Sequence, residues 1–148
     1  MKRLFIILLV IILLSGCNNK DNVYFTIECE KEEYLFEGSR TTLKAKGSFD
    51  INKNIIEYKN VIKDKLSNKE ELRKRQNEYK NILSKMENEN GKDSFRGNIE
   101  VNETDYTVAL VTYLYNVENN KANIFLDFYE SNMYTCKIDG INKEEIYK

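Results

Sequence analysis

The sequence predicts an α+β fold, an antiparallel β-sheet packed by one long amphipathic helix, with a second short helix near the C-terminus. Three observations carry that reading. Residues 22–66 and 95–115 are dominated by short runs in which apolar and polar side chains alternate, the two-residue period of half-buried strands. Between them, residues 67–91 change to a period of three to four, with lysine, arginine and glutamate covering the remaining positions. Asn102-Glu103-Thr104-Asp105 then separates two strand-like runs as a turn-rich tetrapeptide.

The elements begin after a distinctive N-terminus. Met1-Lys2-Arg3 is basic, and Leu4 to Leu14 (LFIILLVIILL) is wholly apolar, the layout of a signal peptide. Its 11 residues fall short of a spanning helix, which needs about 20 to cross the hydrocarbon. Leu14-Ser15-Gly16-Cys17 resembles the lipobox of bacterial lipoproteins, a leucine and two small residues before a cysteine. The resemblance implies that residues 1–16 are removed by cleavage between Gly16 and Cys17. It also implies that acyl chains on Cys17 hold the protein on the extracytoplasmic side of a cell membrane; two or three such chains anchor stably where one does not. Asn18 to Asn22 reads as a polar tether, so residues 17–22 form the lipidated cysteine and its spacer. The competing reading is an ordinary secretory signal followed by a chance cysteine.

Removing residues 1–16 leaves 132 of the 148 residues, enough for one domain over residues 23–148. Lys2 and Arg3 leave with the signal, so 21 basic and 24 acidic side chains remain. That balance does not suggest a nucleic-acid partner. Histidine is absent, which removes the commonest general base and the commonest transition-metal ligand. There is no Gly-rich phosphate loop, no G-x-S-x-G elbow and no D-x-D-x-D-G calcium loop. No catalytic residue, cofactor or metal is therefore assigned.

Asn22 to Glu30 alternates as a strand with Cys29 on its inward face. Leu35 to Phe49 holds two short runs broken at Gly38-Ser39, and Asp50 to Asn54 reads as a turn before a strand from Ile55 to Leu66. Ser67-Asn68-Lys69-Glu70 fits a capping box with Ser67 as N-cap. In the helix that follows, Leu72, Tyr79, Leu83 and Met86 form one stripe with Ile82 beside it, and Gly91 ends it. Glu70 with Lys74 and Glu71 with Arg75 are spaced for favourable ion pairs.

Phe95 to Val101 and Tyr106 to Tyr115 read as a hairpin. The second strand is bulky on both faces, which predicts a central strand covered on both sides. Its cover is expected from Ala122 to Tyr129, where a helix is preferred over a strand. Tyr134, Cys136 and Ile138 share a face near the C-terminus. In a chain that leaves the cytoplasm, Cys29 and Cys136 are natural disulfide partners, two buried free thiols being the alternative.

The order of lipobox, tether, early strand with Thr26-Ile27-Glu28-Cys29-Glu30, amphipathic helix, hairpin and late Tyr134-Thr135-Cys136-Lys137 resembles small bacterial lipoproteins of unknown function, the YehR-like group. That resemblance implies a compact α+β domain on the outer face of a membrane with its terminal cysteines paired. It carries no catalytic residues to transfer.

The expected function is a membrane-anchored, non-enzymatic module that binds an envelope protein, another envelope component or a small ligand. Tyr113 and Tyr115 are its candidate binding surface, within a surplus of aromatics that includes Phe125, Phe128 and Tyr129. The plainer reading is that these rings complete the core. A structural or protective surface protein is a further expectation. A carboxylate- or divalent-ion-dependent enzyme using Glu87, Glu89 and Asp93 is the least favoured, because ENENGK resembles a solvated helix end.

Overall fold

The computed structural model describes residues 23–34, 38–91, 93–115 and 120–148. Gly16, Cys17, the expected signal peptide and the tether lie outside them. Six strands form one sheet: β1 (Phe25–Tyr34), β2 (Arg40–Phe49), β3 (Ile55–Lys65), β4 (Phe95–Asn102), β5 (Thr107–Tyr115) and β6 (Thr135–Asp139). Their order across the sheet is β4-β5-β3-β2-β1-β6, and every neighbouring pair is antiparallel. The helices are α1 (Lys69–Asn90), α2 (Ala122–Ser131) and the short α3 (Lys143–Ile146). This is the α+β architecture that the alternating runs and the amphipathic helix imply.

Register decides which side chains meet. Ile27 lies beside Gly47 and Ile138, and Cys29 beside Ala45 and Cys136, so these share one face. On the same face Asp64 stands opposite Val108, and Ile62 opposite Leu110, which in turn faces Ile99. A bulge where β2 meets β3 leaves Ile56 without a partner between Ser48↔Glu57 and Phe49↔Ile55. The extra residue lets Ile55 and Tyr58 turn to the same side.

Both longer helices cover that side, in two separate clusters. Beneath α2, Phe25, Ile27 and Phe49 pack with Phe125, Leu126 and Tyr129. Phe49 is held between the stacked ring of Phe25 at 5.0 Å and the edge-on ring of Phe125 at 5.6 Å. Beneath α1, Leu72 and Tyr79 pack with Leu66, Val108 and Leu110. Burying one such side chain contributes roughly 1.5–3 kcal/mol. Residues 122–131 are helical, as preferred: the 3.6-residue period buries Ala122, Phe125, Leu126 and Tyr129 while Ile124 and Phe128 stay exposed.

Several local expectations need correction. The N-cap of α1 is Asn68, whose side chain accepts from the Glu71 amide at 2.9 Å, while the Glu71 carboxylate accepts from the Ser67 amide. The capping pattern therefore sits one residue later than read, because Asn68 with Glu71 has the same spacing as Ser67 with Glu70. Glu71 is thereby turned away from Arg75, and among the described residues neither Glu71 with Arg75 nor Glu70 with Lys74 forms an ion pair. Arg75 instead reaches Asp64 at 3.0 Å and Glu78 at 3.1 Å. Gly91 does close the helix, with φ +75° and its amide on the Glu87 carbonyl. The first of the two runs expected after residue 35 begins at Leu35 to Glu37, which lie outside the described residues; the second is β2.

Candidate binding face

The strand expected to be covered on both sides is covered on one. β5 is central, between β4 and β3, yet both long helices lie on the side of Val108 and Leu110. Its other side carries Thr107, Ala109, Val111, Tyr113 and Tyr115, and no helix among the described residues packs there. Val111 is nonetheless only 5% exposed. Val61 and Asn98 flank it across the ladders and Tyr113 stands two residues on, so side chains rising from the sheet supply the cover that an extra layer would have given.

The uncovered face runs across all six strands. Tyr113 and Tyr115 stand on it, half-buried, with ring planes 7° apart and centroids 6.5 Å apart. Each ring holds a cation: Lys59 Nζ lies 5.2 Å from the Tyr113 centroid and the Arg96 guanidinium 5.8 Å from that of Tyr115. The pair belongs to neither core cluster, whereas Phe125 and Tyr129, grouped with it in the sequence reading, are buried in the core beneath α2.

Charge on this face is segregated by strand. The outward positions of β2 and β3 carry Arg40, Lys44, Lys46, Lys59, Lys63 and Lys65 against a single carboxylate, Glu57. The outward positions of β1 carry Glu28, Glu30 and Glu32. Where the two stripes meet, Lys46 pairs with Glu28 at 2.6 Å and Lys44 with Glu30 at 3.0 Å. The bond from Lys46 holds the Glu28 carboxyl below its usual range. A groove of about 780 Å³ lies over this seam, bordered by Glu28, Glu30, Lys44, Lys59 and Lys137. A smaller one, about 240 Å³, opens where Arg40, Thr42, Lys63, Lys65 and Thr107 converge, with Asp105 at its edge. Among the described residues Arg40, Lys63 and Lys65 form no ion pair.

Cys29 and Cys136 face each other on β1 and β6 and are joined, Sγ to Sγ, at 2.07 Å. The bridge lies on the helix-covered side, with Cys29 fully buried. Glu87, Glu89 and Asp93 are exposed at the end of α1 and just beyond it; Glu89 pairs loosely with Lys85 at 3.8 Å. Among the described residues no group of three His, Cys, Asp or Glu side chains is arranged to hold a metal ion.

One buried carboxylate had not been singled out. Asp64 is 1% exposed and accepts from the Tyr79 hydroxyl at 2.6 Å, from Thr41 Oγ1 at 2.5 Å and from Arg75 Nε at 3.0 Å. The position was legible by parity, since residue 64 falls on the same side of the strand as Tyr58 and Ile62, but Lys63 and Lys65 on either side make it look solvated. Its three donors come from β2 and α1, so it joins the helix to the sheet.

Among the described residues no helix is long and apolar enough to cross a membrane. Compared with protein-family models, with curated proteins and with solved structures, the chain finds no match in any of the three.

Proposed function

We propose that this chain is a lipid-anchored, non-enzymatic binding module of the bacterial cell envelope, and that the uncovered sheet face is its binding surface. The anchor rests on the lipobox resemblance of Leu14-Ser15-Gly16-Cys17. The binding reading rests on one observation above all: the Tyr113 and Tyr115 rings stand parallel on a face that no helix among the described residues covers, each with a cation at its plane. A sheet face that only needed solvation would be served by small polar or charged residues. Paired tyrosines there present large amphipathic area at low entropic cost.

Two measurements test the proposal. The intact mass of the protein taken from its native membrane is expected to begin at Cys17 with added acyl mass; a chain that keeps Met1 removes the anchor. The Tyr113→Ser/Tyr115→Ser double variant is expected to melt close to the parent and to lose an envelope component that co-purifies with it. A double variant that retains the component, or a large loss of stability, places the tyrosines in a packing role instead.

A further inference from the structure

Resting on the open face as the binding surface, we infer that its ligand is a linear anionic glycan, a chain of sugars bearing carboxylate or phosphate groups, lying along the lane between β3 and β5. The lane is defined by register. Its rungs are Lys65 with Thr107, Lys63 with Ala109, Val61 with Val111, Lys59 with Tyr113 and Glu57 with Tyr115. At about 3.4 Å per residue it is roughly 27 Å long, room for several sugar units in an extended chain.

Charge complementarity selects an anion. The β2–β3 part of the face is cationic although the chain as a whole is slightly acidic, at −1. Lys44 and Lys46 are neutralised by β1 carboxylates, which leaves Arg40, Lys63 and Lys65 converging on the smaller groove with the Thr42 and Thr107 side chains beside them. Two carboxylates stand near this end, each bonded only to a neutral amide: Asp105 at the groove's edge accepts from Asn102 at 3.1 Å, and Glu100, opposite Ala109, accepts from Asn98 at 3.3 Å. An incoming carboxylate or phosphate at this groove therefore meets three cations against one carboxylate, Asp105.

The other end of the lane selects a sugar. Lys59 stands four residues from Lys63, about 13 Å along the strand, and places a second positive charge beside the Tyr113 ring. A sugar ring lays its apolar C–H face on tyrosine while its charged substituent turns to the lysine or to Arg96. Between the two ends the lane carries no charge of its own: Ala109 and Val111 are buried under neighbouring side chains and Val61 is half-buried, so the backbone of such a chain passes over an uncharged stretch. A polyanion without rings would use the lysines and leave the tyrosines idle, and a neutral glycan would do the reverse.

The test uses the full-length protein in detergent, titrated at low ionic strength with polygalacturonate, neutral dextran and polyglutamate. Polygalacturonate is expected to bind and dextran not. The Arg40→Gln/Lys63→Gln/Lys65→Gln variant is expected to bind polygalacturonate about tenfold more weakly, the sum of three exposed ionic contacts. Its melting temperature should match the parent, since among the described residues none of the three is in an ion pair. Tyr113→Ser/Tyr115→Ser is expected to weaken polygalacturonate binding and leave polyglutamate binding unchanged. No binding of polygalacturonate, or binding indifferent to the cation variant, overturns the inference; polyglutamate bound equally well and equally sensitive to the tyrosines overturns the glycan assignment. If polygalacturonate fails while the co-purifying component still depends on Tyr113 and Tyr115, the ligand class is wrong and the binding face stands. Failure of both retires both.

Discussion

The Tyr79 hydroxyl donates to Asp64 Oδ2 at 2.6 Å, fastening the middle of α1 to β3 inside the core. Burial, reinforced by this bond, pushes the phenol pKa well up. Asp64 is a buried carboxyl group that tolerates its site because three donors surround it. Tyr79→Phe removes one of them and is expected to cost about 1–2 kcal/mol in urea denaturation, because Thr41 and Arg75 remain. Asp64→Ala leaves the Tyr79 hydroxyl buried without an acceptor and should cost about 3 kcal/mol. Equal stability of the Tyr79→Phe variant and the parent would show that Asp64 does not depend on this bond.

Reduction of the bridge between Cys29 and Cys136, or Cys29→Ser/Cys136→Ser, is expected to lower the guanidinium midpoint sharply. The two residues are 107 apart in sequence, and releasing a loop of that size costs about 4–5 kcal/mol in the chain-entropy account. Parallel melts with and without reductant check this, and coincident curves would contradict it.

Gly47 is required by what lies over it. A Cβ there would stand 2.6 Å from two atoms of the Phe49 ring and 3.3 Å from Phe125. Phe49 is fully buried between Phe25 and Phe125 and has nowhere to go. Gly47→Ala is expected to destabilise by about 1–3 kcal/mol, as overpacking does. Loss of the near-ultraviolet aromatic signal at temperatures where the parent keeps it would report the displaced ring.

Stability should fall on the alkaline side through the tyrosines. Tyr147 donates to Asp127 at 2.6 Å, which with some desolvation raises its pKa to about 12. Burial raises Tyr58, Tyr129 and Tyr134 as well. A phenol near 10 when unfolded and higher when folded loses its proton first in the unfolded state. Its contribution is complete below pH 10 and is lost as pH climbs through the folded value. Absorbance titration at 295 nm is expected to show a late tyrosinate step above pH 10 that moves down to the ordinary range in denaturant. On the acid side Glu28 acts in the opposite sense: its lowered pKa contributes stability that disappears as pH falls through the folded value.

Much of this was legible from residue pattern. Leu72 and Tyr79, seven residues apart, had to share a helix face, and Asn102 to Asp105 had to turn, because Asn102 caps its own loop by accepting from the Thr104 and Asp105 amides. The pairing of Cys29 with Cys136 was the favoured of two readings: inward parity on two strands suits two buried thiols as well, and only a chain that leaves the cytoplasm favours the bond the structure shows. What pattern could not give was depth. Alternation says which way Val111 points but not whether a helix or only neighbouring side chains will cover it. A helix over β5's second face was therefore expected where, among the described residues, there is none. The stripe of cations on β2 and β3 was hidden for a related reason: Arg40, Lys46, Lys59 and Lys65 are scattered in sequence and gather only once β2 and β3 pair in register. Asp64 escaped notice because two flanking lysines outweigh parity in a reading by composition.

The rung at Cys29 and Cys136 also sets how the domain carries mechanical load. The chain enters the sheet at Phe25, where Thr26 pairs with Asp139 and β6 is finishing. A pull on that entry peels β1 away rung by rung, the weakest way to load an antiparallel pair, because each rung bears the force alone. On the β6 side the peel passes Thr26, Ile27 and Glu28 and then meets a covalent bond. Beyond it β1 can no longer leave without taking β6 along, so force is shared across two strands and the aromatic cluster beneath α2. Fraying thus stops four residues from the start of β1, short of Glu30, Glu32 and the lane between β3 and β5, so the outward face keeps its shape while the entry gives.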